Sequence, residues 1–382
     1  MAADLACWNI ADLRERARRR LPHGIWEYAE RGTEDELGMA RNRAAFERMT
    51  FRPRVLRGVQ HVDTTAQIFG KPSPVPLALA PTGAAGLLWY KGDLELARAA
   101  AAAGIPFTIS SASTMDLEQI ARAGGRLWFQ LYYWEDRSLS HAVVDRAHQL
   151  GCEALFITLD MPVPPNREYI HRNGFGTPFR LNARNVIDVL THPRWLAGVL
   201  GRYALDGGVP SQANLPDRLR SKVTKGAPPG ALFKQDDLDW DALKILRDRW
   251  PGRLVLKGVL HPEDAERALS LGADGVVVSN HGGRALDGSM ATLDALPSIV
   301  SAVGGRMTIF LDSGVRRGSD VVKALALGAD AVLVGRAPLY GLAATGGPGV
   351  SRALALLAAE TARTMAMLGV RKISEIDSKL LA

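Results

Sequence analysis

The feature that most constrains the fold of this chain is a regular alternation of short apolar segments with helical patterns. Eight short runs are rich in branched side chains and almost continuously apolar, as is typical of strands buried on both faces. They are Val75–Ala80, Ile105–Ser110, Leu127–Tyr132, Ala154–Asp160, Arg253–Gly258, Asp274–Ser279, Met307–Asp312 and Asp330–Gly335. Strands that alternate with helices predict either a closed (β/α)8 barrel or a doubly wound open sheet.

The helical patterns between these runs begin with a proline, an acidic residue or an arginine, and a glycine follows each of them. The clearest are Asp93–Ala103, Asp116–Ala123, Asp136–Leu150, Pro262–Leu271 and Arg316–Leu327. The count of eight strands favours the barrel. Polar residues at the strand ends favour it too, because a barrel brings all of them to one mouth. They are Thr82, Ser110, Gln130, Tyr132, Asp160, Lys257, Ser279, Asp312 and Gly335.

The domain organisation follows from the spacing of the strands. We predict a single α/β domain over residues 1–382, a TIM barrel formed by residues 51–164 and 236–382. An N-terminal helical segment, residues 1–50, precedes it and contains Tyr28. A long insertion after strand 4, residues 165–235, interrupts the barrel. Loops of this length in compact domains are usually functional or mobile.

The insertion carries the whole net charge of the chain. Between Pro165 and Gln235 there are eleven Lys or Arg residues against four acidic residues, and this excess equals the net charge of +7. A charge confined to one stretch does not indicate a nucleic-acid groove. It fits either a solvated loop or contact with an anionic membrane. Within it, Thr191–Leu205 is suited either to lying flat on a bilayer or to packing on the barrel as a helix.

The sequence favours the cytoplasm. The two cysteines, Cys7 and Cys152, have no metal-type spacing, as expected of a reduced protein without a metal site. The N-terminal segment carries charges where a signal peptide is apolar, so we expect no cleaved signal. The uncharged run Pro72–Tyr90 contains four prolines and is unsuited to spanning a membrane. We therefore expect a cytoplasmic protein, peripheral on the inner face of the cell membrane if the insertion binds lipid.

The strongest chemical signal is the segment Ser279-Asn280-His281-Gly282-Gly283-Arg284 after strand 6. A histidine can transfer a proton near neutral pH, and an arginine can hold a carboxylate through two hydrogen bonds. After strand 4 come Asp160, which would orient the histidine and stabilise its charge, and Arg167. These residues predict a site for an acidic substrate that undergoes proton transfer. His192 and His261, each followed by proline, carry little functional weight.

A second group of residues predicts an anion or phosphate site. Lys257, buried by its position after strand 5, must face an anion or an electron-rich ring. After strands 7 and 8 come Asp312-Ser313-Gly314-Val315-Arg316 and Gly335-Arg336, where glycine N–H groups and arginines suit a phosphate. The chain has no Walker loop, GxGxxG, HExxH or GxSxG motif. ATP hydrolysis, Rossmann nicotinamide binding, zinc proteolysis and serine hydrolysis therefore lack support.

These segments resemble the FMN-dependent (S)-2-hydroxy acid dehydrogenase and oxidase family, which includes glycolate oxidase, L-lactate dehydrogenase and (S)-mandelate dehydrogenase. The resemblance runs from about residue 9 to the C-terminus and is weakest in the insertion. The matching segments are SNHGGR, DSGVRRGSDVVKALALGADAVLVGR, WFQLYY, ITLDMPVPPNRE and LKGVLHPEDA. The first two are the most specific of the five.

The resemblance implies a role for each matching residue. His281 would be the catalytic base that takes the substrate's hydroxyl or α-carbon proton, and Asp160 would stabilise the imidazolium. Arg284 and Arg167 would bind the substrate carboxylate. The complete catalytic set is His281, Asp160, Tyr132, Tyr28, Arg284, Arg167 and Lys257. The substrate-binding set is Tyr28, Tyr132, Arg167, His281, Arg284, Gly83 and Ala112.

The resemblance also implies FMN as the cofactor. Lys257 would lie by flavin N1 and stabilise the anionic reduced ring. The cofactor-binding set is Pro81, Thr82, Gly83, Ser110, Gln130, Thr158, Lys257, Ser279, Asp312, Gly314, Arg316, Gly335 and Arg336. Within it, Asp312 would bind the ribityl chain, and the last four residues would bind the phosphate.

Three positions depart from the glycolate oxidase pattern. Gly83 stands where glycolate oxidase-like members carry alanine, and the mandelate dehydrogenase-like members also have glycine. Ala112 replaces a tryptophan over the substrate, and the lost indole leaves space for a phenyl group. Ser313 replaces a glycine that is common in the family, which leaves the conformation of that turn open.

We therefore expect an FMN-dependent (S)-2-hydroxy acid dehydrogenase that prefers aromatic substrates such as (S)-mandelate. The insertion resembles that of the membrane-associated lactate and mandelate dehydrogenases, which implies a quinone or other electron acceptor. We also expect a homotetramer. The alternatives are a quinone-linked L-lactate dehydrogenase and an oxidase that makes hydrogen peroxide. A type 2 isopentenyl diphosphate isomerase-like enzyme should lack the carboxylate pocket, and a non-enzymatic barrel would be colourless.

Overall fold

The computed structural model describes residues 6–176, 182–216, 219–222, 225, 228 and 230–382 of the chain. Eight parallel strands close into a barrel, and the last strand pairs with the first. The closed barrel is therefore confirmed, and the doubly wound sheet is wrong. The strands are β1 Leu77–Leu79, β2 Phe107–Ser110, β3 Leu127–Leu131, β4 Ala154–Thr158, β5 Arg253–Val259, β6 Gly275–Val278, β7 Thr308–Leu311 and β8 Ala331–Val334. Each lies inside its predicted run except β5, which ends one residue later.

Helices precede, connect and follow the strands. Those before the insertion are α1 Ile10–Arg20, α2 His23–Glu30, α3 Leu37–Arg48, α4 Gly92–Ala102, α5 Leu117–Ala121 and α6 Arg137–Gln149. The insertion contains α7 Glu168–Asn173, α8 Ala183–Leu190, α9 Pro193–Trp195, a π-helical turn at Leu196–Gly201 and α10 Arg202–Leu205. After it come α11 Trp240–Arg249, α12 Pro262–Ser270, α13 Thr292–Val303, α14 Gly318–Ala326, α15 Arg336–Thr345 and α16 Gly347–Leu368. The five helices predicted from their capping residues are confirmed, with ends that differ by two residues or fewer.

The strands are largely apolar, with polar residues near the ends that face the site, because both of their faces are buried. One set of side chains points into the barrel, where Trp128 stacks on Phe156 with ring centroids 5.0 Å apart. Phe310 meets the Trp128 ring edge-on at 5.6 Å. The opposite faces pack against the surrounding helices in a larger cluster. This two-sided burial explains why the strands show no polar alternation.

A hairpin closes the end of the barrel opposite the polar strand ends. Its strands, Ala66–Ile68 and Lys71–Ser73, pair antiparallel. Phe69 at its tip places its ring 5.7 Å from Trp128 and 5.5 Å from Phe310, both in edge-on geometry. The hairpin therefore plugs the barrel with an aromatic side chain and leaves the other end for the site.

The segment Thr191–Leu205 of the insertion packs on the barrel. This is the second of the two alternatives that the sequence left open. Trp195 and Tyr203 are buried, and the Trp195 indole Nε1 donates to Leu87 O at 2.8 Å. The Tyr203 hydroxyl accepts from Lys91 N at 3.1 Å. These aromatic residues therefore do not face a membrane. Two of the basic residues of the insertion, Arg180 and Arg218, lie outside the described residues.

Across the described ranges, no helix is both long enough and apolar enough to cross a membrane.

The N-terminal helices cover the mouth of the barrel. Asn42 on α3 and Asn280 after β6 exchange two amide hydrogen bonds, of 2.8 Å and 2.9 Å, in a buried position. On α2, the Tyr28 hydroxyl donates to Gly83 O at 3.1 Å. The helical segment predicted before the barrel is therefore confirmed, and it forms one wall of the site.

We predict that Phe310→Ala strongly destabilises the barrel. Phe310 is fully buried and contacts three aromatic rings, so its removal leaves a cavity among them. Truncation of a buried phenylalanine typically costs about 3–5 kcal/mol. Urea denaturation followed by circular dichroism would measure the loss. Ile245→Ala, at an exposed position on α11, is the matched control. Equal denaturation midpoints for the two variants would contradict the prediction.

Candidate active site

One cavity of about 590 Å³ opens at the mouth of the barrel, where the strands end. Most of the residues predicted for the site line it: Tyr28, Pro81, Thr82, Gly83, Ala112, Tyr132, Arg167, Lys257, His281, Arg284, Asp312, Gly314, Arg316, Gly335 and Arg336. The remaining predicted residues do not line the cavity. Of these, Ser110, Gln130, Thr158 and Ser279 are fully buried, and Asp160 reaches the site through His281.

His281 occupies the centre of the site in a left-handed backbone conformation, with φ of +58°. Its Nδ1 lies 2.9 Å from Asp160 Oδ1, and its Nε2 lies 3.1 Å from the Tyr132 hydroxyl. Because a carboxylate can only accept, Nδ1 carries the hydrogen. The lone pair of Nε2 therefore accepts from Tyr132 and faces the cavity, where it can take a proton.

The pKa values of this pair suit a general base. Burial lowers the pKa of His281, and the charge of Asp160 opposes this without overcoming it. Burial alone would raise the pKa of Asp160, but its partner His281, which donates a hydrogen bond to it, and the charge of Lys257 lower it overall. The histidine is therefore neutral at neutral pH and can accept a proton. The ionised aspartate then stabilises the imidazolium that forms.

Two guanidinium groups lie side by side at one end of the cavity. Arg167 donates to Arg284 O at 3.2 Å, and its buried Nε has no hydrogen-bond partner among the described residues. Arg284 donates to Arg31 O at 2.5 Å and to the Tyr169 hydroxyl at 3.4 Å. Burial and the neighbouring Arg284 lower the pKa of Arg167. Two adjacent, partly buried cations with an unused donor on Arg167 indicate an anionic ligand such as a carboxylate.

Two more arginines lie further along the cavity. Arg336 is partly buried and donates to three backbone carbonyls, at Gly282, Arg31 and Ala29. Burial, and then repulsion from Arg284, lower its pKa to about 10.

The second of these arginines, Arg316, follows the turn at Gly314 and donates to Val315 O at 2.8 Å. The φ of Gly314 is +93°, and a Cβ there would lie 3.0 Å from the Cβ of Asn42, so only glycine fits. A glycine turn beside two arginines suits a phosphate.

Lys257 lies between these two cationic regions. Its Nζ donates to Ser279 Oγ at 2.7 Å and pairs with Asp312 Oδ2 at 3.0 Å. Burial favours the neutral amine, but the charges of Asp312 and Asp160 raise the pKa of Lys257 overall. The lysine is therefore a fixed cation. The sequence indicated that it faces an anion or an electron-rich ring, and the structure shows Asp312 as an anionic partner.

A buried row of polar side chains runs beneath the cavity. Ser110 Oγ donates to Gln130 Oε1 at 2.9 Å, and Gln130 Nε2 donates to Thr158 Oγ1 at 2.9 Å. The row joins the ends of three neighbouring strands. It supports the floor of the site, and its side chains satisfy one another.

The turn at Ser313 has the conformation that explains why glycine is common there. Its φ is +76°, a region that favours glycine. The serine hydroxyl donates to Asp312 Oδ1 at 2.7 Å and accepts from Gly282 N at 2.9 Å. These two bonds offset the strain and connect the turn to the loop that carries His281.

Several residues of the site were not predicted from the sequence. Tyr169, which bonds Arg284, and Asn42, which pairs with Asn280 of the His281 segment, have no motif of their own. The outer wall of the cavity was also missed, because it comes largely from the insertion and the segment beside it. Its members are Met161, Val163, Ile170, Phe175, Phe233 and Gln235. Only spatial neighbours identify them.

Comparison with known proteins agrees with this geometry. The profile of a family described as FMN-dependent dehydrogenase matches residues 17–382. The (S)-mandelate dehydrogenase of Pseudomonas putida is 42% identical, with 98% of this chain and 93% of that protein covered. An L-lactate dehydrogenase of Caulobacter sp. (strain K31) is 43% identical, with 98% of each chain covered. A crystal structure described as monotopic membrane protein (S)-mandelate dehydrogenase superposes with a TM-score of 0.92, 41% identity and 99% of each chain covered.

We predict that Asp160→Asn lowers the pKa of His281 further. The substitution removes the charge that raises this pKa and leaves the effect of burial unopposed. An NMR titration of the histidine ring protons, with His281 assigned through its own substitution, would measure the shift. Asp145→Asn, which breaks an exposed ion pair with Arg249, should leave it unchanged. A rise in the pKa of His281 in Asp160→Asn would refute the electrostatic account.

Proposed function

Because the chain belongs to the FMN-dependent dehydrogenase family, we propose that it oxidises an aromatic (S)-2-hydroxy acid, such as (S)-mandelate, to the 2-oxo acid. It is an oxidoreductase whose cofactor is FMN. The observation that carries the proposal is the position of His281. The base lies between Asp160 and Tyr132, on the same cavity as the guanidinium of Arg284 and that of Arg167, whose Nε has no partner among the described residues.

The residues of the cavity fit FMN. The two arginines beside glycine turns suit its phosphate, and Asp312 lies between them and Lys257, where the ribityl chain would pass. Pro81, Thr82 and Gly83 would offer their backbone to the ring edge. When bound, FMN supplies the acceptor for two electrons. Lys257 supplies the fixed positive charge that an electron-rich ring requires, as its raised pKa indicates.

The other residues bind and orient the substrate. Arg167 and Arg284 bind its carboxylate, with the unused Nε of Arg167 available as a donor. Burial raises the pKa values of Tyr28 and Tyr132, so both remain protonated donors. His281 Nε2, which accepts from Tyr132 in this structure, takes the proton from the substrate.

The small side chains near Tyr28 support an aromatic substrate. A Cβ added to Gly83 would lie 3.1 Å from the Cβ of Ala112 and 3.6 Å from the Tyr28 hydroxyl, so the three positions are neighbours. Glycine and alanine there leave room for a phenyl group. Oxidation of L-lactate remains the second candidate, because a 43% identical relative carries that name. An oxidase that forms hydrogen peroxide is the third.

We also propose that α8 binds an anionic membrane, where a quinone would accept the electrons. Val186, Ile187 and Leu190 lie on one face of this helix, and the last two are each 61% exposed. Arg184 and Arg194 nearby are exposed as well. This face, rather than the buried Trp195 and Tyr203, would contact lipid. The homotetramer remains a prediction.

Anaerobic mixing with a panel of 2-hydroxy acids tests the activity. We predict that (S)-mandelate bleaches the flavin of the wild-type protein, and that His281→Asn slows this step by orders of magnitude while FMN remains bound. Loss of a general base typically costs about 10²–10⁴-fold. Stopped-flow absorbance measures the rate, and release of FMN on denaturation measures cofactor content. Reduction of His281→Asn near the wild-type rate would remove His281 from the mechanism.

Liposome co-sedimentation tests the membrane contact. We predict that the protein binds anionic vesicles at low salt and is released as salt rises, since each basic residue contributes about 1 kcal/mol. Ile187→Asp combined with Leu190→Asp should abolish binding and spare flavin reduction. Ile245→Asp combined with Met367→Asp changes equally exposed apolar residues elsewhere and is the matched control. Failure of the wild-type protein to bind these vesicles would refute the proposed contact.

A further inference from the structure

The C-terminal end of the insertion forms an extra strand pairing beside the site. Glu135 N donates to Leu232 O at 2.8 Å, and Lys234 N donates to Tyr133 O at 3.0 Å. Trp134 and Phe233 face each other in this antiparallel bridge. The pairing fixes the backbone of Phe233, and alternation along the strand directs the Leu232 side chain to the opposite face.

The ring of Phe233 continues a row of aromatic rings that starts at Tyr132, next to the base His281. Its centroid lies 5.2 Å from that of Tyr132 and 6.0 Å from that of Trp134. Trp134 is buried, whereas Phe233 lines the cavity and is 43% exposed. Part of the Phe233 ring is therefore exposed in the cavity. A ligand bound there would cover this part, and burial of aromatic surface is favourable.

The geometry of the polar groups directs a substrate's side chain toward this wall. The reacting hydroxyl must lie at His281 Nε2, and the carboxylate must reach Arg167 and Arg284. The third substituent on the reacting carbon, the substrate's side chain, would then contact the apolar outer wall. Of the two phenylalanines on that wall, Phe175 packs against α2, where a Cβ on Gly24 would lie 2.0 Å from its ring. Phe233 is the one in contact with Tyr132, whose hydroxyl bonds the base.

We propose that Phe233 is a specificity-determining residue that selects aromatic over small 2-hydroxy acids by packing against the substrate's ring. The inference rests on the proposed function and names the residue that discriminates. An aromatic substituent can meet this ring in offset or edge-on contact, whereas the methyl group of lactate offers too little surface. Discrimination by such an apolar contact is of the order of 10–200-fold per methylene-sized difference.

A purely structural role for Phe233 predicts a different result. If the ring only held Tyr132 in place, its loss would disturb the hydrogen bond to His281 and slow every substrate equally. A specificity role lowers kcat/KM for aromatic substrates mainly through KM and leaves lactate nearly unaffected. The ratio of kcat/KM for mandelate to kcat/KM for lactate therefore distinguishes the two roles.

The experiment compares flavin reduction by (S)-mandelate and L-lactate in the FMN-loaded wild-type protein and its variants. We expect Phe233→Ala to lower kcat/KM for mandelate at least about tenfold and that for lactate less than about threefold. Phe233→Tyr, which retains the ring, should keep the wild-type ratio. Leu232→Ala is the matched control, since it changes the neighbouring exposed residue on the other face.

Equal losses for both substrates in Phe233→Ala, or no loss for mandelate, would overturn the inference. FMN content and thermal unfolding establish that each variant is folded. If Phe233→Ala loses FMN, Phe233→Leu replaces it, because leucine retains apolar bulk without a ring, and the same selective loss is expected. A wild-type protein that reduces its flavin with mandelate but shows equal losses for both substrates in Phe233→Ala overturns the inference alone. A wild-type protein that reduces its flavin with lactate but not mandelate overturns both the inference and the aromatic substrate, and leaves L-lactate oxidation as the function. If no hydroxy acid reduces the flavin, the proposed function fails as well.

Discussion

Closure of the barrel between its first and last strands is the constraint on which the site depends. Val334 pairs with Leu79, so the Gly335-Arg336 turn lies beside the segment that begins at Pro81. In an open sheet these ends would be at opposite edges. Arg336 can then donate to Gly282 O and to two carbonyls at the end of α2, which joins the last strand to the loop of the base. The Arg336 end and the His281 end of the cavity are thus joined in one mouth.

The side chains around the cavity carry more positive than negative charge. Arg167, Arg284 and Arg336 are partly buried beside it and donate mainly to backbone carbonyls and a hydroxyl, whereas Lys257 has a carboxylate partner in Asp312. Burial of unpaired cations is costly. In the proposed function, the phosphate of FMN and the carboxylate of the substrate would supply the opposite charge. Because a ligand that binds only the folded state stabilises it, part of the folding stability of this protein resides in its cofactor.

The insertion serves the site from two sides. Its inner face carries Trp195 and Tyr203, which pack on the loop after β1, and its far end delivers Phe233 to the cavity wall. Its outer face carries Ile187 and Leu190. One segment can therefore contact a surface with one face and shape the substrate pocket with the other.

The sequence by itself determined the strands, the five capped helices and most of the polar residues that line the cavity. Strand burial and helix capping are local patterns, and a histidine or arginine in a glycine-rich loop is recognisable from its immediate neighbours. His281 and Arg336 could be identified in this way. Only the tertiary structure decided that Asp312 pairs with Lys257, that Ser313 bonds Gly282, that Trp195 faces the barrel and that Phe233 meets Tyr132. Each of these contacts joins residues that are far apart along the chain, so no local sequence pattern predicts it. The partners are brought together only when the barrel closes and the insertion packs against it.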